Sequence, residues 1–292
     1  DGCVLSCPSC AVGVFGRRRH RMMSLDTFQR ILDKAQKECK VRKVQLYSYS
    51  DSCQHPDLDL FVKECRDRGI PSIVSTTLQG HGCDYRKVIE ARPTEFRISF
   101  PGWDRMNYYQ YPASTKRFDK NFAYLMTLPR YPETWWTMCF HVYKDNHDEI
   151  ERARVKAVIH DLKFISLPAI FMTQERIVER EYTEADKVLH DLLPVTAEEC
   201  EDRYKPSDYC MCWKQITLDA GGDVWLCQNV YDDRFWMGSF FDKSVWDHLW
   251  CIKGSEFCRK CIAVKGNRVQ ESYTDFTTDK DPVAIANKSR MK

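Results

Sequence analysis

The sequence carries almost no net charge: 44 lysines and arginines stand against 42 aspartates and glutamates over 292 residues, a formal balance of +2. That balance lacks the basic footprint with which a zinc-stabilised nucleic-acid binder would neutralise phosphates, so it speaks against nucleic acid as a partner. No apolar run approaches the ~20 residues needed to span a bilayer, and no membrane association is expected. A basic, then apolar, leader with a small-residue cleavage site is missing too. Without an export signal the 15 cysteines do not read as a disulfide framework, which belongs to short secreted domains. Their clustered spacing points instead to metal ligation in a reducing cytoplasm, the expected compartment. At this length one large domain and one small one can each bury a core.

What is present begins at once. Cys3, Cys7 and Cys10 are spaced Cys-x3-Cys-x2-Cys within the first ten residues. Three thiolates on one loop can hold three corners of a 4Fe-4S cubane, whose usual ligand set is four cysteines. No further cysteine lies at the distance to close the fourth corner locally, so one iron would stay open to a small-molecule ligand. A tetrahedral zinc site would want four protein ligands, or three and a water.

Beyond the loop, apolar periodicity alternates between helix and strand. Ser24 reads as an N-cap ahead of Phe28, Ile31, Leu32 and Ala35 on one helical face. Lys43 to Ser50 reads as a strand, and Leu58, Phe61, Val62 and Cys65 as a helical stripe closed by Gly69. Strands follow over Pro71 to Thr77, Glu95 to Phe100, Thr134 to Tyr143 and Phe164 to Phe171. The helices between them run over Tyr85 to Arg92, around Phe118 to Met126, and from His147 to Asp161, with a last one from Thr183 to Leu193. Alternating strands and helices predict a parallel sheet with right-handed crossovers and chemistry at the carboxyl ends of the strands.

The segment DGCVLSCPSCAVG resembles the cluster motif of the radical S-adenosylmethionine (SAM) superfamily, with Ser9 where the family usually has an aromatic residue. The resemblance implies a partial (β/α)6 TIM-like barrel over residues 1–195. In that fold a strand leads directly into the cysteine loop. Here Cys3 follows Asp1 almost immediately, so the first strand is expected to be missing from an N-terminally truncated chain. The resemblance further implies a SAM-binding 4Fe-4S cluster on Cys3, Cys7 and Cys10, with SAM chelating the fourth iron. SYSDSCQHPDL aligns with the motif that binds the SAM amino group, putting Ser50 and Asp51 in place of its Gly and Glu. Ser75-Thr76-Thr77 and Arg97-Ile98-Ser99-Phe100 resemble the next two strand ends, making Thr76 and Ser99 further SAM contacts. VYKDNHDE, with Asn146, resembles the following strand-to-helix junction.

From Tyr204 the composition shifts to cysteine, tryptophan and glycine. Cys212, Gly222 and Cys227 fit Cys-x9-Gly-x4-Cys, and Cys258 and Cys261 follow as Cys-x2-Cys. Gln215 to Cys227 reads as a β-hairpin turning at Ala220-Gly221-Gly222-Asp223, with Cys212 and Cys227 at its feet. SVWDHLW then returns the chain to a Cys-x2-Cys knuckle, and four thiolates converge. This resembles the SPASM domain, or its shortened twitch form, over residues 196–272, and implies a second, auxiliary 4Fe-4S cluster. Cys210 rivals Cys212 as a ligand, Cys200 and Cys251 are spares, and a four-cysteine zinc ribbon fits the same spacing. Residues 273–292 form a polar tail.

Other features have ordinary alternatives. GRRRHR (16–21) either grips an acidic or phosphorylated substrate or is a solvated loop. Trp103, Tyr108, Tyr109 and Tyr111 line a pocket or cover a sheet edge. Cys53 and Cys139, near strand ends, are hydrogen-atom donors or buried thiols. Together the resemblance implies an oxidoreductase-type radical SAM enzyme acting on a small metabolite or a peptide, fed electrons by a flavodoxin or ferredoxin. The alternative is a catalytically degenerate iron–sulfur or zinc protein that binds or transfers electrons.

Overall fold

The computed structural model describes residues 3–16, 21–48, 50–80, 82–169, 174–179, 181, 183 and 210–264. The expected helix to Leu193, Cys200, most of the 16–21 basic run, the boundary at 195–196 and the polar tail lie outside the described residues.

Five strands form one parallel sheet in sequential order: β1 (Val44–Gln45), β2 (Ser72–Thr76), β3 (Glu95–Phe100), β4 (Trp135–Val142) and β5 (Lys163–Pro168). All five lie within the stretches expected from sequence or one residue outside them. The first is far shorter than expected, and the cause is Ser52. Its hydroxyl donates to Leu46 O at 2.7 Å and accepts from Ser75 N at 3.2 Å, taking the place of a direct strand-to-strand bond and ending the ladder.

The crossover helices start and stop where local chemistry dictates. In α1 (Ala11–Phe15) and α2 (Leu25–Glu38), only the second has a side-chain N-cap: Ser24 Oγ accepts from Thr27 N at 3.1 Å. The stripe Leu58, Phe61, Val62 and Cys65 is the buried face of α3 (Leu58–Asp67), and Gly69 at φ 68° ends it. Then come α4 (Tyr85–Glu90), the single turn α5 (Met106–Tyr109), α6 (Thr115–Met126), α7 (Glu149–Ile159) and α8 (Gln174–Glu179).

Strand alternation divides the sheet's two faces. Phe96, Ile98 and Phe100 of β3 and Met138, Phe140 and Val142 of β4 join the core beneath the helices, with Phe118, Phe122 and Leu125 of α6. Glu95, Arg97 and Ser99 therefore point the other way, onto the sheet's opposite face, the lumen side.

The C-terminal region builds a separate antiparallel sheet from β6 (Thr217–Leu218), β7 (Asp223–Trp225) and β8 (Trp236–Ser239). The expected hairpin is there, with Leu218 opposite Val224. Asp219 Oδ1 accepts from Gly221 N at 2.8 Å and Asp223 N at 3.0 Å, which fixes its turn. β8 was not expected. Two helices close the domain, α9 (Val245–Gly254), capped by Ser244, and α10 (Glu256–Ala263). Among the described residues no helix is long and apolar enough to cross a membrane.

Candidate functional site

The cysteine loop is held from three sides. Leu5, 1 % exposed, is driven into the barrel core, and Ser6 N donates to Tyr111 O at 2.5 Å. Cys10 N donates to Cys7 O at 3.0 Å, and Gly13 N to Cys10 O at 2.9 Å. Gly13 then presses so closely on the Cys7 carbonyl that no side chain fits there. Each of the three thiols keeps an accessible face while lying deep among protein atoms. Burial raises Cys3 to about 11 and pushes Cys7 and Cys10 up as well. The charges of Cys10 and Cys3 add to the upward shift at Cys7. Burial thus keeps the three groups as neutral thiols at pH 7, and only a cation bound among them would favour their thiolates.

Asp51 stands beside this loop, where its charge opposes ionisation of Cys3 while its backbone N–H favours it. Its carboxylate is spoken for. Oδ1 accepts from Cys53 N at 2.9 Å, and Oδ2 accepts from Thr76 Oγ1 at 3.1 Å, Thr77 N at 2.8 Å and Thr77 Oγ1 at 2.7 Å. A carboxylate has about four acceptor sites. Asp51 thus clamps the end of β2 to the turn after β1, and Thr76 is part of the same clamp. Burial raises the Asp51 pKa, opposed by these hydrogen bonds. Asn146 is engaged in the same manner: Oδ1 accepts from Tyr143 N at 2.7 Å, and Nδ2 donates to Pro101 O and His141 O at 2.9 Å. Ser50 lies half-buried beside Asp51. Ser99 faces the lumen, 3.3 Å from Ser75 Oγ.

The lumen holds a polar set that the sequence reading passed over. Arg97 forks onto Glu95 at 3.0 and 3.1 Å and donates to Tyr47 Oη at 3.0 Å. Cys139 pairs in register with Ser99, and His141 lies two residues further toward the carboxyl end of β4. Burial brings the His141 imidazole down to about 4, helped by the Arg97 charge, and raises Cys139 to about 12. Among the described residues the imidazole has no hydrogen-bond partner. The signal was available: parallel strands are usually apolar on both faces, yet Glu95, Arg97 and Ser99 alternate with Phe96, Ile98 and Phe100. Of the aromatic group, Tyr109 is buried and stacked on Tyr143 at 3.6 Å, while Tyr108 and Tyr111 are exposed.

In the C-terminal region Cys210, Cys212, Cys227, Cys258 and Cys261 line one pocket with Gln174, Asn229 and the apolar side chains of Trp213, Leu226, Phe257 and Ile262. Cys227 Sγ donates to Cys212 Sγ at 3.4 Å. Cys210 is lowered to about 7 by a thiol hydrogen bond from Cys212, which is raised in turn. Burial lifts Cys258 to about 11 and Cys261 to about 12. The expected Cys-x2-Cys knuckle is instead helical. Cys258 and Cys261 sit three apart on α10, whose sequence EFCRKCIA has no breaker and carries a Glu256–Lys260 ion pair at 3.0 Å. An i, i+3 spacing still turns both thiols to one face. Among the described residues no group of three or more His, Cys, Asp or Glu side chains is placed to hold a single metal ion. A cubane separates its ligands more widely than one ion does, and a largely apolar, sulfur-lined pocket suits it.

The two cysteine sites are joined. Tyr231 packs on Cys10, Ala11 and Val12, and its hydroxyl donates to Gly16 O at 3.2 Å. The buried Glu175 accepts from Tyr231 N at 2.7 Å and Asp232 N at 3.2 Å.

No family model matches the sequence, and no curated protein does. Solved structures match by shape. Native anSMEcpe with bound AdoMet aligns at TM-score 0.56 and 12 % identity, over 100 % of this chain and 97 % of that one. The same protein with bound AdoMet and the Cp18Cys peptide aligns at 0.54 and 10 %, over 89 % and 79 %. A hexahistidine-tagged form of anSMEcpe with bound AdoMet aligns at 0.53 and 11 %, over 98 % and 95 %. At such identities the likeness is one of fold alone, shared with proteins whose structures hold AdoMet.

Proposed function

We propose that this chain is a radical SAM enzyme with a 4Fe-4S cluster on Cys3, Cys7 and Cys10 and an auxiliary 4Fe-4S cluster in a twitch-like C-terminal domain. The observation that supports the reading is the Cys-x3-Cys-x2-Cys loop itself, turned by Cys10 N on Cys7 O and seated by Leu5, with Cys3 and Cys7 packed against the sheet core. A cluster held by these three thiols would supply the electron for reductive cleavage of SAM, the chemistry that would let substrate lose a hydrogen atom.

The chain's own residues do the rest. Leu5 and Gly13 fix the loop, and the Asp51–Thr76–Thr77 clamp shapes the rim that SAM would meet. Ser50 and Ser99 are the proposed polar contacts whose hydroxyls can still turn toward it. Substrate lies in the lumen against Tyr47, Arg97, Cys139 and the neutral imidazole of His141. Four of Cys210, Cys212, Cys227, Cys258 and Cys261 hold the auxiliary cluster. The spacing first assigned Cys212, Cys227, Cys258 and Cys261, with Cys210 the rival of Cys212. The reaction class is oxidation or modification of a small polar metabolite or a peptide.

A second reading, an iron–sulfur electron-transfer protein without SAM cleavage, is favoured by the engaged Asp51 carboxylate, whose Oδ2 is filled by three hydrogen bonds and whose Oδ1 already holds one. One experiment separates the two. The full chain, reconstituted anaerobically with iron and sulfide, is given SAM and dithionite, and 5′-deoxyadenosine is quantified. Product that disappears in Cys7→Ala supports the enzyme, whereas intact clusters without product support electron transfer.

A further inference from the structure

We infer that Gln174 is a positioning residue for the C-terminal thiol pocket, its side-chain amide setting the reduction potential of the cluster held there. The inference rests on the reading of that pocket as an iron–sulfur site.

Gln174 opens α8, the helix that follows the last barrel strand, so the donor comes from outside the domain that supplies the cysteines. Its amide nitrogen lies 3.2 Å from Cys261 Sγ in a buried contact, and the residue is 6 % exposed. The backbone holds it there. Gln174 N donates to Asn229 O at 2.8 Å, and the adjoining Glu175 accepts from Tyr231 N and Asp232 N. The start of α8 is thereby bonded to the loop just after Cys227. Gln215 Nε2 approaches Cys212 Sγ only to 3.8 Å.

An N–H aimed at a ligating sulfur stabilises the more electron-rich, reduced cluster over the oxidised one, and hydrogen bonds to sulfur are among the main levers on cluster potential. Trp213, Leu226, Phe257 and Ile262 keep the surroundings apolar, where a single oriented dipole counts for more than in water.

The test uses the full-length chain with Cys3, Cys7 and Cys10 changed to alanine, so that only the C-terminal cluster remains. It is reconstituted with iron and sulfide and titrated by EPR against mediators. Gln174→Leu is expected to shift the reduction equilibrium about tenfold toward the oxidised form, about 59 mV more negative for a one-electron couple. Gly254→Ala, where an added Cβ meets nothing within 4 Å, is the control and is expected to leave the potential alone. Should Gln174→Leu not fold, the same protein with Gln174 intact answers the question. Pulsed EPR of its reduced cluster, with side-chain 15N-glutamine, should show coupling to one amide nitrogen that is absent in Gln174→Met. An assembled cluster with neither shift nor coupling overturns the inference and leaves the iron–sulfur reading standing. Failure of the protein with Gln174 intact to bind any cluster overturns both.

Discussion

Gly13 sits where the cluster loop has no space for a side chain. A Cβ there would lie 2.0 Å from the Cys7 carbonyl oxygen, 2.6 Å from its carbon and 2.8 Å from the carbonyl carbon of Ser6. Restoring an ordinary contact of 3.4 Å requires the Cys7 carbonyl to retreat by about 1.4 Å. That oxygen accepts from Cys10 N, so the retreat drags the turn that brings Cys7 and Cys10 together. Overpacking costs about 1–3 kcal/mol and a lost backbone hydrogen bond about 1 kcal/mol. The sum, about 2–4 kcal/mol, lowers the population of the closed loop by roughly two orders of magnitude. The cost is local, because the sheet core around Phe96, Ile98 and Phe100 is untouched. Gly13→Ala should keep its circular dichroism spectrum, lose about four irons per chain on anaerobic reconstitution, and make no 5′-deoxyadenosine. Gly254→Ala, where an added Cβ meets nothing within 4 Å, is the control and should assemble normally. If Gly13→Ala binds iron and sulfide as the unchanged chain does, the loop is not held as described and the reasoning fails.

Two further outcomes follow from the lumen. His141 has its pKa brought from 6.5 down to about 4, so between those values the unfolded chain takes up a proton that the folded chain refuses. Stability should therefore fall as pH drops through that window, by at most about 1.4 kcal/mol per pH unit, and urea midpoints of His141→Gln should show a correspondingly shallower dependence. Equal slopes for the two proteins would contradict the buried, neutral imidazole. Arg97→Met leaves Glu95 without its bidentate partner at side-chain exposures of 26 % and 19 %, and should destabilise the fold by on the order of 2 kcal/mol. Chemical denaturation reads this directly, and an unchanged midpoint would mean the pair is solvated.

The barrel was legible because its signals are local. Runs such as Phe96-Arg97-Ile98-Ser99-Phe100 declare a strand by period alone, and Ser24 and Gly69 mark helix ends by their own chemistry. The thiols at 3, 7 and 10 declare a metal loop by spacing. What stayed hidden depends on partners distant in sequence. Nothing near Asp51 reveals that Thr76 and Thr77 will fill its acceptor sites, and nothing in Lys43 to Ser50 says that Ser52 will cut the strand short. β8 was obscured by Gly238, at φ 92°, in a run with no β-branched residue. The helical setting of Cys258 and Cys261 was masked by the habit of reading Cys-x2-Cys as a knuckle. His141 and Arg97 could have been found by asking which face of each strand carries the polar residues.

Tyr231 lies more than 200 positions after the loop it braces through Cys10, Ala11 and Val12. During synthesis the N-terminal thiols therefore leave the ribosome long before their last support has been translated. The strands can pair in order as they emerge and Tyr111 can hold Ser6, but the brace on Cys10, Ala11 and Val12 is added only once Tyr231 has been made. Any cluster on the three thiols would therefore meet a finished loop only late in the life of the chain. A polypeptide stopped ahead of residue 210 would carry all three motif cysteines and still present them unfinished.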